Sequence, residues 1–119
     1  MKKMAKFERN LTGNFDSLVQ TLDSEILRGS ISATFQGGSD FAIGNVRCAV
    51  RVYERYSIMG KGRMGANITI LGDGENLCVS VIGSGGSQAV FFKINTWSEE
   101  AFAREIIEIV DNWARGNAR

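Results

Sequence analysis

Residues 41–56, Phe-Ala-Ile-Gly-Asn-Val-Arg-Cys-Ala-Val-Arg-Val-Tyr-Glu-Arg-Tyr, constrain the fold more than any other part of this chain. Val46, Cys48, Val50 and Val52 occupy every second position. Asn45, Arg47, Ala49, Arg51, Tyr53 and Arg55 fill the positions between. A strand sends alternate side chains to opposite faces. The stretch therefore predicts a long central antiparallel strand, with its apolar face on a core and its basic face outward.

The segments around it supply partners. Phe15, Leu18, Val19, Leu22 and Ile26 share one helical face. Asp16 in the first turn and Arg28 in the last suit the macrodipole, and Gly29 suits the stop. A first helix is expected over residues 14–28. Ile31, Ala33 and Phe35 alternate as a half-buried strand, and Gly37-Gly38-Ser39-Asp40 reads as the turn into the long strand. That register sets Ile31 opposite Val46 and Phe35 opposite Ala42. After a glycine-rich loop over residues 57–65, Ala66, Ile68 and Ile70 give the next inward face. Leu77, Val79 and Val81 mirror them across a turn at Gly72-Asp73-Gly74-Glu75. Gly83 to Ser87 is a further turn, and residues 89–94 are a fifth, mostly apolar strand.

Thr96-Trp97-Ser98-Glu99 fits a capping box. Phe102, Ile106, Ile109 and Trp113 follow at helical steps, so a second helix is expected over residues 97–115. The order αβββββα predicts an α+β fold of two layers: a five-stranded antiparallel meander with both helices on one face. At 119 residues the chain is one domain, 1–119. Residues 1–10 are expected as a loose arm, or a short lead-in strand or turn.

Composition narrows the chemistry. Histidine is absent, which removes the commonest general base, metal ligand and near-neutral pH switch. Cys48 and Cys78 stand alone in their segments, so zinc and dithiol redox motifs are missing. By alternation Cys48 is expected in the core and Cys78 on the outer face, both reduced. A net charge of +1 gives no global field toward nucleic acid or membrane. The basic start is not followed by a signal-like apolar run, and no stretch is long enough to span a bilayer. The expected location is cytoplasmic.

The run over residues 44–56, with Gly72-Asp73-Gly74-Glu75-Asn76-Leu77 and the closing Thr-Trp-Ser-Glu-Glu helix start, resembles small bacterial proteins classed as a domain of unknown function. The resemblance implies a bacterial cytoplasmic protein over nearly the whole chain.

Candidate sites are few. Arg47, Arg51 and Arg55 form a row that could follow an acidic protein or a phosphate backbone; a solvated outer face is the plainer reading. Only Tyr53 is there to stack on bases, which disfavours nucleic acid. Gly60, Lys61, Gly62 and Arg63 could cradle a small anion, though no P-loop spacing is present and flexible hairpin tips explain them as well. The acidic residues of the second helix read as a solvated face. Leu71 and Ile82 point outward by alternation, one of Phe91 or Phe92 must turn away from the core, and Leu71, Ile82 and Phe91 are the interface candidates. These features lead to a non-catalytic interaction module without cofactors, self-associating as a homodimer. The alternatives are an enzyme holding an anionic substrate at the basic loop, and a weak nucleic-acid binder.

Overall fold

The structure, a computed structural model, describes residues 5–29, 32–56, 62–85 and 99–117. Its elements are β1 (Lys6–Thr12), α1 (Phe15–Gly29), β2 (Thr34–Ile43), β3 (Val46–Tyr56), β4 (Arg63–Asp73), β5 (Asn76–Gly85) and α2 (Glu99–Asn117). One antiparallel sheet takes the order β1-β5-β4-β3-β2. The α+β class, the five antiparallel strands and the two helices agree with the sequence reading.

The source of one strand differs. The N-terminal arm pairs with β5, Phe7 opposite Val81 and Leu11 opposite Leu77. The chain order among the described residues is thus βαββββα, and β2 to β5 form the meander. The expected strand over residues 89–94, with Phe91 in it, lies outside the described residues, as does most of the capping box.

A second difference concerns the first hairpin. Gly37, Gly38 and Ser39 do not turn; they run within β2, with a bulge between Phe35 and Gly37. The turn is Gly44-Asn45, flanked by Ile43 opposite Val46. Gly44 has φ +59° and Asn45 has no positive φ, the pattern of a type II′ turn, whose first position glycine fills without strain. This turn twists with the strands, whereas a turn at 37–40 would have cut β3's partner short. Phe35 consequently lies opposite Tyr53, and Phe41 opposite Cys48.

The core lies between the helices and β5, β4 and the inner side of β3. Ile68, Ile70, Leu77, Val79 and Val81 from the sheet meet Leu18, Leu22 and Ile26 of α1 and Phe102, Ile106 and Val110 of α2, all buried. α2 lies over β5, β4 and β1, and α1 packs beside it and reaches β4. Asn14 caps α1: its Oδ1 accepts from the Ser17 amide at 2.8 Å. Trp113 seals the helix pair, donating from Nε1 to Ser17 Oγ at 3.0 Å. Its ring lies against Gly13, where a Cβ would come within 2.5 Å of it. Neither helix lies over β2, nine of whose ten residues are exposed.

A candidate interaction face and the arginine ladder behind it

The arginine row does not face solvent. Pairing puts Arg51 opposite Ile68 and Ala49 opposite Ile70, both core residues, so the odd positions of β3 share the helix-facing side. Ala49 and Tyr53 are buried there. Each arginine then meets an acidic side chain from a helix. Arg47 donates twice to Asp16, at 2.8 and 2.9 Å, and its guanidinium lies 4.4 Å from the centre of the Phe15 ring. Arg51 donates from Nε to Asp23 at 3.4 Å and pairs through Nη2 with Asp40 at 3.1 Å. It also donates to the carbonyl of Val50 at 3.0 Å. Tyr53 donates its hydroxyl to Asp23 at 2.6 Å. Arg55 is 3% exposed, donates to Glu105 of α2 at 2.7 Å and stacks over Phe102 at 4.5 Å. At the opposite edge of the sheet, on the same helix-facing side, Arg9 of β1 donates to both carboxylate oxygens of Asp111, at 2.9 and 3.2 Å.

The spacing behind this ladder is physical. Asp16 and Asp23 are two helical turns apart, about 10.5 Å at 1.5 Å per residue. Arg47 and Arg51 are separated by about 13 Å of strand. Two such rows, nearly commensurate, can pair along their length. The electrostatics follow the contacts. The hydrogen bond from Arg47 holds the Asp16 carboxyl below its ordinary range, and Arg47 is raised in turn. Burial, then the bond to Asp23, pushes the Tyr53 phenol up. Burial works against the charge on Arg51, but Asp23 and Asp40 outweigh it and the net direction is upward.

The outward assignment of Arg47, Arg51 and Arg55 is therefore corrected, and with it the inward assignment of Val46, Cys48, Val50 and Val52. The apolar-inward rule fails on β3 because the helices are centred over β5, β4 and β1. Their edges reach β3 with acidic side chains and with Phe15 and Phe102. Long arginines bridge that gap with apolar stems and charged tips, and the valines take the other face. Cys48 accordingly lies in one row with Leu71 and Cys78. Both thiols are free and on the open face, not on opposite faces. Two strand spacings, about 9.6 Å, separate them, beyond disulfide reach.

The open face has two halves. On β2, β3 and the near edge of β4 it is apolar: Phe41 is 60% exposed, Ile43 83%, Val46 37% and Leu71 44%, with Val50 and Val52 half-buried between. On β5 and β1 it is polar, carrying Ser80, Cys78, Asn10 and Glu8, with Ile82 half-buried among them. Leu71 and Ile82 thus point outward as the alternation predicts. Of the basic loop, Gly60 and Lys61 lie outside the described residues. Gly62 is half-buried, and Arg63 pairs with Glu54 and stacks 5.1 Å from the Tyr56 ring. An open depression of about 550 Å³ lies between the ends of β1 and β5 and Ala114; it holds none of the candidate residues. No described helix is long and apolar enough to cross a membrane.

Sequence reasoning missed Asp16, Asp23 and Glu105 as the partners of the row. The available signal was the pair of aspartates seven apart on α1, flanking its apolar stripe, set against arginines four apart on a strand. Compared with known proteins, residues 4–114 match a family described as Family of unknown function (DUF6054). No curated protein and no solved structure matches the chain.

Proposed function

The chain belongs to this family of unknown function, and from its geometry we propose that it is a non-catalytic interaction module that self-associates as a homodimer through the β2 side of its sheet. The observation that carries the reading is the exposure of Phe41, Ile43, Val46 and Leu71 on the face opposite the helices. The apolar part of that face is about two and a half strands wide and seven residues long, from Val46 to Val52 on β3, or about 280 Å² at ordinary strand spacing and rise. That is near the lower bound of the largest patch on a typical monomeric protein, which is often functional. Among the described residues, the candidate groups for an anionic ligand are occupied: Arg47, Arg51 and Arg55 are turned inward to Asp16, Asp23 and Glu105. Arg63 is paired with Glu54. These pairs weigh against the anion-holding enzyme and the nucleic-acid binder. The free thiols of Cys48 and Cys78 suit a reducing, cytoplasmic setting, and the family resemblance suits a bacterial one.

The test is sedimentation equilibrium across a wide concentration range. Self-association predicts a concentration-dependent dimer that is lost in a Phe41→Ser, Ile43→Thr variant. A wild-type protein that stays monomeric throughout refutes the proposal.

A further inference from the structure

We infer that the outer edge of β2, beyond which no described strand lies, is a strand-addition site whose occupant is β2 of a second copy, joined about a two-fold axis into one continuous sheet. The inference rests on the self-association proposed above and specifies its geometry.

The sheet has two edges, and they are built differently. β1 carries Lys6, Glu8 and Arg9 within seven residues, and α2 lies against it. Charges of this kind block edge-to-edge pairing. β2 has neither lysine, arginine nor proline. Its single charge, Asp40, is held by Arg51 on the helix side. Among the described residues no strand lies beyond it. Past the bulge, residues 37–43 pair with β3 in unbroken register. A regular, neutral edge of this length lacks the usual safeguards.

The direction of its backbone groups follows from the turn. The pair that closes a two-residue hairpin exchanges both hydrogen bonds, and bonded and non-bonded pairs then alternate. Ile43 closes the Gly44-Asn45 turn against Val46. Ile43, Phe41 and Ser39 therefore bond inward to β3. Ala42, Asp40 and Gly38 turn their N–H and C=O groups outward.

The same edge is self-complementary. A two-fold axis normal to the sheet keeps helix side with helix side, so only residues of one facing can oppose each other. Centred on Phe41, it sets Phe41 against its equivalent, Ser39 against Ile43, and Asp40 against Ala42. Centred on Ala42, it sets Phe41 against Ile43. Both registers bring the most exposed apolar side chains among the described residues together and keep the two Asp40 carboxylates apart. An isologous contact of this sort closes at two copies. A β1-to-β2 contact would not close, and would set Lys6 and Glu8 beside Phe41 or Ile43.

The experiment uses the full chain with Cys48→Ser, Cys78→Ser and Ala42→Cys, treated with a short bis-maleimide and run beside sedimentation. Ala42 lies on the helix side, near the axis of an edge dimer. In a dimer formed face to face, the two copies of this position lie on opposite outer surfaces. Rapid cross-linking to a covalent dimer is expected. In the wild-type background, Ala42→Pro should weaken the dimer about tenfold or more, since it deletes an outward donor from each copy; Leu71→Asp, two strands away, should leave the dimer intact. A dimer that Leu71→Asp abolishes and that residue 42 does not cross-link overturns edge pairing while self-association stands. A protein monomeric at all concentrations overturns both. Ladders of higher oligomers would show open head-to-tail addition and also overturn the two-fold pairing.

Discussion

The pairing of Arg55 with Glu105 ties β3 to α2, and its two ends sit in unequal surroundings. The Arg55 side chain is 3% exposed and that of Glu105 is 44% exposed. Removing one partner of a fully buried pair costs about 3–5 kcal/mol, because the other charge is stranded. Here the outcome depends on which partner is removed. Glu105→Ala takes the α2 carboxylate from a guanidinium that stands in a dry site against Phe102. Water already reaches Glu105, which softens the loss, so about 2 kcal/mol is expected. Arg55→Met keeps an unbranched chain over the Phe102 ring and leaves a carboxylate that can hydrate. Its cost is the pair itself and a cation–π contact worth about 1 kcal/mol, partly offset by relief of a buried charge, so about 1 kcal/mol is expected. In urea melts fitted by linear extrapolation, Glu105→Ala should therefore be the worse variant. The gap corresponds to about 4 °C in melting temperature for a domain of this size. If Arg55→Met proves the costlier substitution, or Glu105→Ala falls within about 0.5 kcal/mol of wild type, the burial argument is wrong.

Two further outcomes are expected. Ile106 is 1% exposed at the centre of the α2 face, so Ile106→Ala should lose about 2–5 kcal/mol in denaturant melts; a loss under about 1 kcal/mol would mean that α2 does not close the core. Tyr53 is raised in the folded state by burial and by its bond to Asp23. Its contribution is thus full below the unfolded tyrosine value of about 10 and is lost as pH rises toward the folded value. Tyr53→Phe should flatten the alkaline limb of the stability profile, and an unchanged slope above about pH 10 would count against a buried, neutral phenol.

Much of the fold was legible because it rests on periodicity. The stripe from Phe15 to Ile26, the stripe from Phe102 to Trp113, and the alternation of Ile68 and Ile70 with Val79 and Val81 all became core as read. The failures share one origin, which is that facing and partner choice are tertiary facts. A strand of alternating valine and arginine fits either facing, and the decision lay in where the helices sit across the sheet. Gly37-Gly38-Ser39 has the composition of a turn, yet Gly44-Asn45 has the dipeptide that a two-residue hairpin prefers, and the second signal prevailed. β1 was illegible as a certain strand because its apolar residues are only Phe7 and Leu11. It is held by its ladder with β5 and by Arg9 meeting Asp111, contacts no local window contains.

That long-range closure bears on how the chain is made. β2 to β5 follow one another in sequence and pair with their neighbours, so they can pair as they leave the ribosome. β1 is synthesised first and is completed last. Arg9 stands 102 residues before Asp111, an interval of about 5–20 s at ordinary rates of translation. Throughout that time the apolar stripe of α1 has no α2 to cover it, so a growing chain carries exposed core surface until its final helix emerges. Slow, non-local closure of this kind lengthens the search for the native state. It also makes the nascent chain a natural client for chaperones, although the finished domain is small.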